Sequence, residues 1–220
     1  MDAKIDFTNP EYYENRELSW IKFDQRVLSE ARDKTIPLLE RLKFISITSS
    51  NLDEFFMVRV ASLLDMVHAD YKKRDIAGMT ATEQLAAINK ATRELVNTQY
   101  STYSRSLVPL LNKEGIYLID AYEDLNEEQE KFVDRYFMEN VYPVLTPMAV
   151  DASRPFPLIR NKTLNIAALL TGKQKDEETV FATVQVPSVL PRLVQIPSDE
   201  GTTSFILLEQ IIERNIGVLF

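Results

Sequence analysis

Asn51, Asp53, Glu54 and Arg59 place a carboxamide, two carboxylates and a guanidinium inside one short stretch, Ser49-Ser50-Asn51-Leu52-Asp53-Glu54-Phe55-Phe56-Met57-Val58-Arg59. A carboxamide offers a donor and an acceptor side by side, which suits the edge of an adenine base with its amino group and ring nitrogens. Asp53 and Glu54 are the residue types for acid–base work or magnesium. Adjacent helical positions diverge by about 100°, however, so the pair does not converge on one ion. Their better reading is complementarity to the positive end of a helix. Arg59 can touch a phosphate, but its commoner role is an ion pair with a nearby acid. His68 is the single histidine. It has the chemistry to accept a phosphoryl group, yet no partner motif orients its ring, so an ordinary helical-surface histidine is the expected reading.

Two readings of Asn51 compete. With Glu54 three residues on, Asn51 forms a capping box, worth about 1 kcal/mol. A cap would occupy the side-chain oxygen that a base would use. If the turn meets a nucleotide, the two acids repel phosphate, so the base should face it. Arg154, Arg160, Lys162, Lys173 and Lys175 form a locally basic stretch bracketed by Asp151 and Asp176. It has the character of a polyanion surface, and also of a solvated loop rim.

Composition removes several classes. The net charge is −8, which repels nucleic acid at long range. Cysteine is absent, so disulfides and thiolate chemistry are excluded. One histidine excludes a His-rich metal site and a relay of two histidines. The five glycines form no Walker pattern. No apolar run approaches the ~20 residues of a bilayer span. The amino terminus lacks the basic start and apolar core of a secretory signal. These features predict a cytoplasmic protein, with or without association at a membrane surface.

The elements that must hold these residues read as helices through the first half. Ser19 is the expected N-cap of a helix bearing Trp20, Phe23, Val27 and Leu28. Pro37 predicts a second start, followed by a stripe of Leu38, Leu39, Leu42, Phe44 and Ile45. A third helix is expected from near Asn51, with Phe55, Val58, Leu63 and Met66. Thr80-Ala81-Thr82-Glu83 is a capping box for a long helix that Pro109 and Gly115 should end. The aromatic residues Tyr12, Tyr13, Trp20, Phe23, Phe55 and Phe56 read as core or interface.

Beyond Gly115 the pattern changes. Ile116–Ile119 reads as a strand, and Asn126-Glu127-Glu128-Gln129 as a second capping box. Residues 164–170 and 179–186 read as two strands joined by the turn Gly172-Lys173-Gln174-Lys175-Asp176. Leu193–Ile196 and Ser204–Leu207 should extend that sheet, and Glu209–Ile216 should be helical. The fold class is therefore α+β: an all-α amino-terminal domain over 1–110, then 111–220 as the start of an α+β domain with a small, mainly antiparallel sheet. The apolar end Gly217-Val218-Leu219-Phe220 reads as a cut inside a domain.

Three blocks, Glu17-Leu18-Ser19-Trp20, Pro37-Leu38-Leu39-Glu40-Arg41-Leu42-Lys43-Phe44 and Ser50-Asn51-Leu52-Asp53-Glu54-Phe55, resemble bacterial polyphosphate kinases in order and spacing. Pro143-Val144-Leu145-Thr146-Pro147 and Phe156-Pro157-Leu158-Ile159 resemble the start of that family's head domain. The resemblance implies reversible transfer of the terminal phosphate of ATP to inorganic polyphosphate through a phosphohistidine, with magnesium. It implies ATP, ADP and polyphosphate as small-molecule partners, and a homodimer or higher oligomer. It places the catalytic histidines and the magnesium ligands in two carboxy-terminal domains, outside these residues. His68 does not match the catalytic context, so no catalytic or metal residue is expected here. One position carries over: the family's adenine-contacting Asn corresponds to Asn51. The alternative reading is a non-catalytic helical module for self-association or partner binding, suggested by the long apolar-striped helix after Thr80.

Overall fold

The computed structural model describes residues 6–150, 156–171 and 179–220. They divide into two compact units, Met1–Leu111 and Asn112–Phe220. Among the described residues, no helix is long and apolar enough to cross a membrane.

The first unit is built from helices α1 (Arg16–Arg32), α2 (Leu38–Phe55), α3 (Ala61–His68), α4 (Ala81–Thr102) and α5 (Val108–Lys113). Asn15, not Ser19, caps α1. Its Oδ1 accepts from the backbone N–H groups of Glu17 at 3.1 Å and Leu18 at 3.0 Å. Asparagine caps as well as serine, and Ser19 already donates its N–H to the Asn15 carbonyl as part of the helix. The buried face of α1 is Glu17, Ile21, Asp24, Leu28 and Ala31. Phe23, expected on that face, lies exposed. An apolar count misplaces the stripe because two of its five positions are acids.

Helix α2 runs unbroken through Ser49, Ser50 and Asn51, which corrects the expected start near Asn51. Those three residues are modest helix formers, but tertiary packing overrides such small preferences. Thr48, Leu52 and Phe55 are all buried on one face of the rod, and α1 packs against both α2 and α4. The rod then passes through a wide π turn, Phe56–Val60, into α3. Its buried positions step 48, 52, 55, 60 and 63. A five-residue step on a regular helix would turn the side chain about 140° away from the face. The extra residue in the wide turn returns Val60 and Leu63 to the core.

The same device corrects the role of Pro109. Helix α4 opens on the expected Thr80/Glu83 capping box. It passes through a wide turn, Tyr103–Leu107, and continues as α5 with Pro109 inside it. Val108 N–H donates to the Tyr103 carbonyl five residues back. Proline tolerates this place because it follows directly on a turn where the four-back hydrogen-bond pattern has already lapsed. Gly115, at φ +74°, is where the chain turns away. A Cβ there would meet the Gly201 carbonyl oxygen at 3.1 Å.

The second unit contains α6 (Glu127–Tyr136), α7 (Leu208–Arg214), α8 (Ile216–Leu219) and six strands. β2 (Pro147–Val150), β4 (Val180–Gln185) and β3 (Asn165–Leu170) form an antiparallel sheet in the order β2-β4-β3. The expected pairing of the two central strands is present, from Asn165↔Gln185 to Leu170↔Val180. The turn expected at 172–176 lies outside the described residues. Leu193–Ile196 (β5) and Thr203–Leu207 (β6) do not extend that sheet. They form a second one with β1 (Ile116–Ile119), in the order β1-β6-β5, with β1 parallel to β6. The separation follows from burial. Val194, Ile196 and Ile206 join Val133 and Phe137 from the α6 segment and Ile211 and Ile212 of α7 in one core, and Ile166 and Val184 reach the same core from the other sheet. The helix expected to end near Ile216 is two short helices, broken at Asn215.

Candidate functional site

Three pairs of side chains connect α1 to the rod formed by α2, the wide turn and α3. Asn51 Nδ2 donates to Asp24 Oδ1 at 2.8 Å. Trp20 stacks on Phe55, with centroids 4.4 Å apart and planes 8° from parallel. Arg59 Nη1 donates to Glu17 Oε2 at 3.1 Å. Along α1 the numbers rise 17, 20, 24, while along the facing rod they fall 59, 55, 51. The pairs are thus the rungs of an antiparallel helix pair, set by three- and four-residue spacings. Arg59 lies in the wide turn itself. On a regular helix it would be rotated about 80° from Asn51. The wide turn lets it share a side with Asn51 and Phe55.

The rungs differ in electrostatics. Glu17 is buried, and its carboxylate also accepts from Arg16 Nε at 2.9 Å and Nη2 at 2.7 Å. Two guanidiniums therefore compensate one buried charge. Asp24 is fully buried, and among the described residues it has no such cation and its Oδ2 has no hydrogen-bond partner. Burial pushes the Asp24 carboxyl above the usual carboxylate range, and the bond from Asn51 opposes this.

Asn51 is half-buried in the interior of α2, so it caps nothing. The capping reading is excluded, and with it the competition for the side-chain oxygen. Among the described residues, the one hydrogen bond of the Asn51 side chain is that to Asp24, which leaves Oδ1 available as an acceptor. Asp53 and Glu54 are exposed in the last turn of α2, not the first, so the helix-start explanation for them fails. Arg59 takes the ion-pair role expected for it. His68 is exposed at the end of α3. Arg160 and Lys162 are exposed, while Arg154, Lys173 and Lys175 lie outside the described residues.

Asp24 and Glu17 are the site residues that motif reading missed. Their signal is two acids seven apart on the face that also carries Ile21 and Leu28. A groove of about 380 Å³ that includes Glu17 is lined by Asn15, Arg16, Arg74 and Gln84 together with Leu63, Met66 and Ile76 among others. Asn15 Nδ2 donates there to Asp75 Oδ2 at 2.7 Å and Gln84 Oε1 at 2.9 Å. Asn51 is half-buried, with its Nδ2 turned to Asp24. Among the described residues no group of three or more histidines, cysteines and acids is placed to hold a metal ion.

Two sequence profiles match the chain. One, the polyphosphate kinase N-terminal domain, covers residues 13–119, and the other, the polyphosphate kinase middle domain, covers 128–220. A polyphosphate kinase of Lactiplantibacillus plantarum is 53% identical over 98% of this chain and 30% of its own length. One from Halalkalibacterium halodurans is 48% identical over 99% of this chain and 31% of its own. The crystal structure of polyphosphate kinase from Porphyromonas gingivalis superposes with a TM-score of 0.83 at 31% identity, over 94% of this chain and 30% of that one. The chain thus spans about 30% of the length of these relatives.

Proposed function

Because this chain belongs to the polyphosphate kinase family, matching its N-terminal and middle domains, we propose that it supplies the adenine-side wall of an ATP site in a longer phosphotransferase. That enzyme moves the terminal phosphate of ATP reversibly to inorganic polyphosphate, through a phosphohistidine borne by residues outside this chain. Magnesium ligands belong with that histidine, and no step of the chemistry runs through the residues described here.

One observation carries the reading. Asn51 is held by a buried acid, does no capping, and keeps its Oδ1 without a hydrogen-bond partner among the described residues. A carboxamide held that way is preorganised to meet an exocyclic amine. The exposed Asp53 and Glu54 beside it favour a base over phosphates at this end. One wall gives only part of the contacts, so the affinity of this chain alone for ATP is weak. The test compares ATP conversion to polyphosphate, with magnesium, by this chain and by a protein of its relatives' length that carries it. Activity confined to the longer protein is expected. Turnover by this chain would overturn the assignment and return attention to His68.

A second reading rests on a different surface. Phe56, Met57, Val58, Leu64 and Met66 are exposed around the wide turn and α3, and an apolar groove of about 460 Å³ runs between Phe56, Val60, Leu64 and the Leu85, Ile88 and Val96 side of α4. Such a patch favours contact with another protein surface, including a second copy. Sedimentation across a range of concentrations, with and without ATP, separates self-association from nucleotide binding.

A further inference from the structure

Asp24 is buried, acidic and bonded to the nucleotide-facing residue, but it cannot itself reach a ligand. We propose that Asp24 sets base selectivity, by fixing which atom of the Asn51 carboxamide faces the nucleotide. The inference rests on the reading of Asn51 as an adenine contact.

The argument is one of donors and acceptors. An ionised carboxylate only accepts, so the carboxamide atom against it must be the donor Nδ2. The reverse orientation would set two acceptors face to face in a buried place. Asn51 Oδ1 is thereby turned away from Asp24 and presented as an acceptor. Adenine offers a donating 6-amino group to such an atom, whereas guanine places its accepting O6 there. An asparagine without this anchor could rotate its amide and greet either base. Asp24 thus acts as a positioning residue. Its orphaned Oδ2 fits this role, because the carboxyl is retained in the core although only one of its two oxygens is satisfied.

The test uses the longer enzyme that carries this region. Asp24→Asn is nearly isosteric, but its neutral amide can present either oxygen or nitrogen to Asn51. Both orientations of Asn51 then become available. The ratio of kcat/KM for ATP over GTP should fall by roughly 10-fold, with kcat for ATP nearly unchanged. A measurement on the unaltered enzyme needs no variant. A purine nucleoside triphosphate lacking the 6-substituent should be a better substrate than inosine triphosphate, whose O6 meets the fixed acceptor. Asn51→Ala is the control. If it raises KM for ATP while Asp24→Asn leaves the ATP/GTP ratio unchanged, or if the two analogues are used equally, the role of Asp24 is refuted and the Asn51 contact stands. If Asn51→Ala leaves KM for ATP unchanged, the adenine contact itself fails, and the inference falls with it.

Discussion

Trp20 and Phe55 stack nearly face to face, their centroids 4.4 Å apart, between a hydrogen-bonded rung at Asp24–Asn51 and an ionic rung at Glu17–Arg59. The aromatic pair is the apolar centre of a polar ladder. It fixes the spacing of α1 and α2, and so the distance over which the outer rungs must act. Phe55 is 2% exposed while Trp20 is half-buried, so Phe55 is the member that the core depends on.

Phe55→Ala should therefore destabilise the first unit by about 3–5 kcal/mol, and Phe55→Leu by less than about half of that. Chemical denaturation followed by tryptophan fluorescence measures both, since Trp20 is the single tryptophan. Equal losses for the two variants would show that the ring stack, not core volume, holds the helices together.

Arg59→Ala removes one of two guanidiniums from a buried carboxylate. Arg16, the other, has a side chain 80% exposed and compensates less. A loss of about 1–3 kcal/mol is expected, and Glu17→Gln in the same background should recover part of it. A double-mutant cycle gives the coupling. A value near zero would mark the pair as one more weak surface bridge.

The Asp24 carboxyl gives a pH dependence of known sign. Burial, partly opposed by the Asn51 bond, raises it in the folded state. The folded protein then holds its proton more tightly than the unfolded chain. Stability from this group is present at low pH and is lost as pH rises from about 4 through the raised folded value. Other carboxyls, such as Glu83 held down by Thr80, work in the opposite sense. The clean observable is the difference in Tm between the parent and Asp24→Asn. The variant should gain relative to the parent from acid to neutral pH. A flat difference would mean that Asp24 titrates normally.

Asn15 joins two functions, as cap of α1 and as donor to Asp75 and Gln84. Asn15→Ala should cost more than the ~1 kcal/mol of a simple cap, because the Oε1 of buried Gln84 would lose its donor. Asn15→Ser should restore the cap alone. Stability of Asn15→Ser equal to that of the parent would show that the Asp75 and Gln84 bonds contribute nothing.

Much of the architecture was legible in the residues. The capping boxes at Thr80 and Asn126 formed as their side chains required, and the strands expected at 164–170 and 179–186, both short and rich in apolar residues, paired antiparallel. What failed did so for local reasons. Ser49-Ser50-Asn51 looks like a helix start because serine and asparagine favour caps. Its place inside α2 is decided by Thr48, Leu52 and Phe55 burying on either side. The wide turns at Phe56–Val60 and Tyr103–Leu107 leave a trace only in hindsight, as five-residue steps in the buried face. Asp24 was invisible because charge normally marks the solvent side. Its partner lies 27 residues away, beyond the reach of any local pattern.

The central claim is that Asn51 meets the adenine of ATP. The direct measurement is the ATP dependence of polyphosphate synthesis by the longer enzyme carrying Asn51→Ala, alongside its thermal unfolding. The expected result is a KM for ATP raised about 10-fold, with the folded state retained. An unchanged KM in a folded variant would contradict the claim and leave the Asp24–Asn51 rung as a purely structural bond.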